Sequence, residues 1–138
     1  MTDHFSPAFS DEQLRAMGVL GFAHIGDAVY ELLVRTWLCQ QGRTAAAALH
    51  RETVRRVCAP AQARAMKKLL PELTEEEHAI YRRGRNAKVN SVPKNAALAD
   101  YHTATGLETL FGWLWLRGEK NRISGLFELI ISEETQCR

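Results

Sequence analysis

Cysteine is scarce in this chain of 138 residues, and its spacing excludes two kinds of site. Cys39, Cys58 and Cys137 are an odd number and form no Cys-x-x-Cys pair. A disulfide framework needs paired cysteines and a structural zinc site needs clustered ones, so neither is indicated. We expect reduced thiols that are buried or have no chemical role.

Long apolar runs are missing too. No stretch approaches the roughly 20 apolar residues that span a bilayer. Residues 1–7 contain no basic segment followed by an apolar one, so a secretion signal is not indicated either. These absences predict a cytoplasmic protein that does not associate with membranes.

Several signatures of known enzyme sites are also absent. The five histidines show no His-x-x-x-His or mixed His/Cys ligand pattern, which argues against a zinc enzyme. The chain has no Walker loop, no Gly-x-Gly-x-x-Gly segment and no nucleophile elbow. Phosphate-binding loops and acyl-transfer sites of these kinds are therefore excluded.

Helical periodicity runs through nearly the whole chain. Apolar residues recur at helical spacing, and no stretch alternates between polar and apolar residues for long enough to form a strand. The sequence therefore predicts an all-α fold. With 46% hydrophobic and 25% charged residues, residues 1–138 have the composition of one globular domain, with no room for an appended domain of ~70 residues.

Capping residues, glycines and prolines predict the ends of the helices. Ser10 with Gln13, and Thr74 with Glu77, have the spacing of capping boxes. The predicted helices cover residues 10–18, 20–40, 44–57, 60–70, 74–84, 94–102, 105–116 and 122–133, with Thr44 and Lys94 as starting residues and Gly84 as a terminating one. The second helix is apolar around more than one face, so we expect it to be the buried centre of the domain.

Two carboxylates interrupt the apolar helices. Asp27 follows Gly26 in the middle of the second helix, and Glu108 is a lone carboxylate in the helix over residues 105–116. An ionised carboxylate in apolar surroundings needs a cation or hydrogen bonds to offset its desolvation. If these two helices pack together, the pair meets at one place, where oxygen ligands with open positions suit Mg2+ and phosphodiester hydrolysis.

A simpler interpretation of Asp27 is an aspartate on a partly exposed helix face, held by backbone or arginine groups. Glu31 lies one turn later on the same side, and Arg35, a further turn along, is a candidate ion-pair partner for it. The pattern alone leaves both interpretations open.

A cluster of cations covers the end of the fifth predicted helix and the residues after it. Residues 79–95 include no acidic residue, whereas glutamates crowd residues 72–77 just before them. The candidate phosphate-binding residues are Arg82, Arg83, Arg85, Asn86, Lys88 and Lys94. Cations on a loop rich in Gly and Asn suit contact with a phosphate backbone without reading bases. The alternative is a solvated helix end with ordinary surface charge.

Three ordered motifs resemble one enzyme family. Residues 24–31 contain Gly-Asp-Ala-Val, which resembles the core of the ribonuclease III signature. The Tyr-Glu that follows is similar to Mini-ribonuclease III, the bacterial branch that has the catalytic domain alone. Residues 82–88 with 93–96, and then residues 101–108, occur in the order and spacing of that family. The resemblance spans about residues 20–122.

The resemblance implies a helical bundle like the ribonuclease III endonuclease domain and a metal-dependent endoribonuclease. Asp27 and Glu108 would be its catalytic, metal-binding residues, with Mg2+ as the ion and Mn2+ as an alternative. The basic cluster would bind RNA. The expected substrate is double-stranded RNA, in particular the stalk of precursor 23S ribosomal RNA. A homodimer would cut it, with a ribosomal protein assisting on the substrate in some members.

Three positions depart from full-length ribonuclease III. Leu20, Ala23 and Thr105 stand where that family's signature has carboxylates, which suits the Mini-ribonuclease III branch and leaves two obvious metal-binding groups. The alternative function is a non-catalytic helical RNA-binding or ribosome-assembly module. An all-helical nucleotide pyrophosphohydrolase ranks below both. That enzyme needs glutamates paired at helical spacing, and the glutamates at 75–77 look like a helix start.

Overall fold

The computed structural model describes residues 1–42, 45–88 and 97–136, and the side chains of those up to residue 132. In this part of the chain the backbone forms helices and no strand, so the all-α prediction is confirmed. The helices are α1 (Asp11–Arg15), α2 (Val19–Gln40), α3 (Ala46–Val57), α4 (Ala59–Leu69), a 3-10 turn (Leu70–Glu72), α5 (Glu75–Arg85), α6 (Leu98–Leu116) and α7 (Lys120–Gln136). None of these helices is both long enough and apolar enough to cross a membrane.

Both predicted capping boxes are present. The Ser10 hydroxyl accepts a hydrogen bond from the amide of Gln13 at 3.1 Å, and the Gln13 side chain accepts one from the Ser10 amide at 2.8 Å. Thr74 and Glu77 repeat this arrangement at the start of α5. Gly42, with a φ of 87°, follows the end of α2, where glycine commonly takes this left-handed conformation. Local sequence therefore sets these helix ends.

The two helices predicted on either side of residue 103 are one helix in the structure, the continuous α6. Threonine and glycine at residues 103–106 suggested a break. The hydroxyls of Thr103 and Thr105 instead donate to backbone carbonyl oxygens one turn earlier, at 2.9 and 3.0 Å, so they are satisfied inside the helix. Lys94, the predicted first residue of this segment, lies outside the described residues.

Gly84 lies inside α5 and does not terminate it, which corrects its predicted role. A Cβ at this position would lie 2.2 Å from the Thr109 hydroxyl oxygen, so only glycine lets α5 and α6 approach this closely. Gly106 makes the reciprocal approach, because a Cβ there would lie 2.6 Å from the Tyr81 ring. These two contacts hold α5 against α6.

The centre of the bundle is α6, which corrects the expectation for α2. Eleven of the nineteen residues of α6 are buried, and it packs against α2, α4 and α5. In α2, Phe22 and Leu38 are buried, but Leu20 and Leu32 are 47% and 53% exposed. The second apolar face of α2 therefore points away from the core.

Two further expectations concern the cysteine thiols and the start of the third helix. Cys39 and Cys58 are free thiols, as expected, and they are exposed, so of the two expected alternatives burial does not apply to them. Cys137 lies outside the described residues. Thr44, the predicted start of the third helix, also lies outside them, and α3 begins at Ala46.

Candidate active site

Two glycines bring α2 and α6 into backbone contact. A Cβ on Gly26 would lie 1.6 Å from the carbonyl oxygen of Glu108, and one on Gly112 would lie 1.8 Å from that of Phe22. Neither position has space for a side chain larger than a hydrogen atom. The crossing therefore fixes Asp27, the residue after Gly26, beside Glu108.

The carboxyl groups of Asp27 and Glu108 lie within hydrogen-bonding distance of each other. Asp27 is exposed on α2, whereas Glu108 is half-buried on α6. Burial, and then the charge of Asp27 and a hydrogen bond with it, raise the pKa of Glu108 to about 8. Two carboxylates this close do not both ionise readily. The pair therefore either holds a proton or binds a cation.

The donor set of this pair fits a hard divalent cation. Carboxylate oxygens are the ligands that Mg2+ prefers, and one or two of them suffice, because the ion keeps several waters and takes oxygens from phosphate groups. Among the described residues, no three His, Cys, Asp or Glu side chains form a metal-binding group. Asp27 and Glu108 therefore suit an ion with open coordination positions, and not a closed structural zinc site.

Other polar residues near the pair either have partners of their own or are exposed to solvent. Glu31 forms an ion pair with Arg35, with 3.0 Å between Oε2 and Nη2, which is the partner that its spacing suggested. His24, one turn before Asp27, is exposed to solvent. Thr105 is buried, and its hydroxyl donates within its own helix.

Gln62 belongs to the surroundings of this pair, although the sequence reasoning did not identify it. It lies on α4 and is buried, and its amide acts to lower the pKa of the Glu108 carboxyl. The available signal was a lone amide among the alanines of an amphipathic helix, at residues 59–65. A third helix thus contributes to the site.

The predicted RNA-binding residues lie at the C-terminal end of α5 and just beyond it. Those with exposed side chains are Arg82, Arg83, Asn86 and Lys88. Arg85 is half-buried: its guanidinium lies over the Tyr81 ring, 5.6 Å from the centroid, and its Nε donates to the side chain of Asn86 at 3.3 Å. Lys94 lies outside the described residues. Because α5 is docked on α6, these cations and Glu108 lie on helices in direct contact.

Comparison with known proteins identifies the family. Residues 20–119 match the Ribonuclease III domain. The chain is 39% identical over 125 residues to the Mini-ribonuclease 3 of Clostridium tetani, covering 90% of this chain and 83% of that protein. It is 44% identical over 109 residues to the Mini-ribonuclease 3 of Symbiobacterium thermophilum, covering 79% and 84%. The chain belongs to the Mini-ribonuclease 3 family.

A solved structure agrees with this assignment. A protein of Fusobacterium nucleatum known from X-ray crystallography superposes with a TM-score of 0.79 at 29% identity, covering 88% of this chain and 97% of that one. The predicted family, fold and enzyme class are therefore confirmed: this Mini-ribonuclease 3 chain is an endoribonuclease, a hydrolase. Enzymes of the ribonuclease III family depend on a metal ion.

The three positions that depart from the full-length ribonuclease III signature have ordinary surroundings in this Mini-ribonuclease 3 chain. Leu20 is exposed and Ala23 is half-buried on α2, and Thr105 bonds to its own helix. None of the three side chains is a carboxylate, so the charge of the site comes from Asp27 and Glu108.

Proposed function

We propose that this protein is a Mg2+-dependent endoribonuclease that cleaves double-stranded RNA, with Asp27 and Glu108 holding the ion. The observation that carries the proposal is the contact between these two carboxyl groups at a helix crossing that tolerates only glycine. A half-buried glutamate beside an aspartate is costly unless a cation compensates it. A divalent ion would offset the negative charge of the two carboxylates and would also promote phosphodiester hydrolysis.

The two carboxylates have different positions and therefore different roles. Mg2+, when bound, supplies activation of water for in-line attack and stabilisation of the charge that develops on the phosphate. Asp27 is exposed and faces incoming substrate, while Glu108 is half-buried and anchored on the central helix. Together they orient the ion at the surface, and cleavage leaves 5′-phosphate and 3′-hydroxyl ends.

The basic residues of α5 are proposed to bind the RNA backbone. Arg82 and Arg83 are exposed next to each other, and Asn86 and Lys88 continue the same end of the helix. Guanidinium groups suit phosphate oxygens, and an A-form duplex is recognised mainly by its shape and backbone. Binding should therefore depend on salt and tolerate many sequences. We assign Arg85, half-buried over Tyr81, and Lys94 to the same role.

A homodimer is proposed from the outer face of α2. Leu32 is 53% exposed, and it lines a depression with Ile25, Val29, Phe5 and Trp115. An apolar surface of this kind on a water-facing helix favours association. A second copy of the chain is the occupant we propose, because a two-fold dimer places two sites on opposite strands of one duplex.

The physiological substrate is proposed to be the double-stranded stalk of precursor 23S ribosomal RNA, cut in the cytoplasm, with a ribosomal protein assisting on the RNA. These details come from the family resemblance and are supported by the match to relatives named Mini-ribonuclease 3. Cleavage of a transcript of that stalk, with and without ribosomal proteins, tests them.

The decisive test is cleavage of a uniformly labelled RNA duplex by wild type and Asp27→Asn, in Mg2+ and in EDTA. We expect short duplex products from wild type in Mg2+ alone, with duplex binding retained by the variant. Asn keeps the size of the side chain and removes its charge, so it is a matched control. Equal Mg2+-dependent cleavage by pure Asp27→Asn protein would contradict the assignment.

The non-catalytic RNA-binding or ribosome-assembly module that the sequence left open does not agree with the family assignment, which is that of an endoribonuclease. Only binding of the duplex without products, in Mg2+ and in Mn2+, would restore that alternative.

A further inference from the structure

Arg85 is a half-buried arginine whose charge has no partner among the described residues. Four arginines in that part of the chain are half-buried: Arg56, Arg85, Arg117 and Arg122. Three of them pair with a glutamate, at nitrogen–oxygen distances of 2.6, 3.0 and 2.8 Å: Arg56 with Glu52, Arg117 with Glu76 and Arg122 with Glu77. Arg85 makes no ion pair with any residue that the structure describes. A guanidinium does not lose its proton, so it needs an anion to offset its partial removal from water.

An aromatic ring supports the Arg85 guanidinium. Two of the paired arginines also lie over a ring, with the guanidinium carbon 5.3 and 4.3 Å from its centroid: Arg56 over Trp37 and Arg117 over Trp113. Arg85 lies over Tyr81 in the same way, at 5.6 Å. A ring attracts the face of a guanidinium and leaves the N–H groups at its edge free to bind an anion. Arg85 therefore has the ring of this arrangement but, in the described chain, not the carboxylate.

Contacts within α5 and with α6 hold both members of this stack in place. Tyr81 is 3% exposed, and its ring lies so close to Gly106 that a Cβ there would be 2.6 Å away. The ring also packs edge-on against His78, with 6.0 Å between the ring centroids. The Nε of Arg85 donates to the side chain of Asn86 at 3.3 Å. The two Nη groups have no hydrogen-bond partner among the described residues, so this pair of donors is available to an anion.

We propose that Tyr81 is a positioning residue of the RNA-binding surface: it holds the Arg85 guanidinium so that both Nη groups bind one phosphate of the RNA backbone. The planar fork of arginine matches two oxygens of a phosphate, which makes this contact stronger and more directional than a single charge. Because Tyr81 packs on Gly106, the bound phosphate has a set position relative to α6, the helix that carries Glu108. The inference rests on the proposed function and assigns the exposed arginines of α5 a weaker, less directional role.

The first test compares arginine variants in duplex binding by the full chain, with Asp27→Asn as the parent so that no RNA is cut. We expect Arg85→Ala to raise the Kd of a blunt RNA duplex about tenfold or more, because hydrogen bonds to a charged group are lost. Arg82→Ala removes an exposed arginine of the same helix, and this matched control should raise the Kd only about two- to threefold. Arg85→Lys keeps the charge without the fork, so it should raise the Kd about fivefold or more with the salt slope of the parent.

The second test measures whether Tyr81 acts through Arg85. Tyr81→Leu removes the ring, and we expect the Kd to rise about tenfold when Arg85 is present but less than about twofold in the Arg85→Ala background. Tyr81→Phe keeps the ring and should have the affinity of the parent. A role for Tyr81 in packing alone would give the same loss with and without Arg85.

Equal losses from Tyr81→Leu in the two backgrounds would overturn the inference, and so would weakened binding by folded Tyr81→Phe protein. Parent-like affinity in Arg85→Lys, or a loss in Arg85→Ala no larger than that in Arg82→Ala, would also overturn it. If Tyr81→Leu does not fold, the arginine variants decide, because Arg85 is not part of the apolar core. A parent that binds no RNA duplex would overturn the proposed function itself, together with this inference.

Discussion

Arg122 donates two hydrogen bonds to the Glu77 carboxylate, from Nε to Oε2 and from Nη2 to Oε1, both at 2.8 Å. Glu77 is 5% exposed and also belongs to the capping box of α5, so this pair ties the start of α5 to α7. Burial alone would raise the pKa of Glu77, but hydrogen bonds from Arg122 and from the Thr74 amide outweigh it and lower that pKa. The bidentate geometry is the strong form of an ion pair.

Arg122→Leu should destabilise the protein by about 2–3 kcal/mol, because it leaves the buried Glu77 without its charge partner. The wild-type pair contributes stability above the unfolded pKa of Glu77, and this contribution is lost as pH falls below about 4.5. Urea unfolding at pH 7 and pH 3 measures both effects. The difference between wild type and variant should shrink at pH 3, and a constant difference would show that the charge is not responsible.

Glu108→Gln should remove a pH-dependent loss of stability. Because the folded pKa of Glu108 is raised to about 8, the folded state holds its proton more tightly than the unfolded chain. In EDTA the unfolding free energy of wild type should therefore fall as pH rises from about 4.5 to about 8, and that of Glu108→Gln should fall less. Thermal melts at pH 6 and pH 9 check this, and Mg2+ should raise the melting temperature of wild type only. Identical pH profiles would contradict the assignment.

Gly26→Ala should abolish cleavage and destabilise the protein by about 3 kcal/mol or more, because the added methyl group meets the backbone of Glu108. Gly125→Ala is the matched control: Gly125 lies on α7 with no atom near a Cβ, so alanine should add about 0.5–1 kcal/mol of stability. Denaturant unfolding and duplex cleavage measure both variants. Normal activity in Gly26→Ala would show that the helix crossing does not set the site.

Arg82→Ala with Arg83→Ala should weaken duplex binding and flatten its salt dependence by about one unit of slope per lost phosphate contact. Arg55→Ala, an exposed arginine on α3, removes one charge at another surface and should leave the slope unchanged. Binding is measured across a range of KCl concentrations with Asp27→Asn as the background, so that no RNA is cut. Equal slopes for the paired α5 variant and its parent would exclude these two arginines from the interface.

Leu32→Glu should convert a dimer to a monomer, because it introduces a charge into the apolar depression on α2. Leu129→Glu is the control, since Leu129 is also an exposed leucine but lies on α7 outside that depression. Sedimentation velocity gives the mass of each form. A wild-type protein that sediments as a monomer at micromolar concentration would overturn the proposed dimer.

Local signals in the sequence predicted much of the fold. Capping boxes and the glycine after α2 set helix ends through contacts a few residues apart, and such contacts are visible in the sequence. The role of Gly84 was predicted wrongly because its cause is Thr109, on another helix. The break predicted within α6 was wrong for a different reason: the hydroxyls of its threonines bond to carbonyl oxygens one turn earlier in the same helix, and the residue types alone do not distinguish this arrangement from a break.

The residues of the candidate site also include some that the sequence predicts and one that it does not. Asp27 and Glu108 stood out as carboxylates in apolar helices, and their meeting point was expected from packing. Gln62 did not stand out, because an amide in an alanine-rich helix carries no charge that calls for compensation. Its significance depends on its burial and on its effect on the pKa of Glu108, and both are properties of the packed structure.

The central position of α6 also affects how the protein is made. Most partners of α6 precede it in the chain, so α2, α4 and α5 have no core to pack on until residues 98–116 have been synthesised. The two carboxylates therefore meet only late in translation, and we expect the nascent chain to be inert towards the RNA around it. Limited proteolysis of ribosome-bound chains ending before and well beyond residue 116 would detect this delayed folding, with protection expected only in the longer chains.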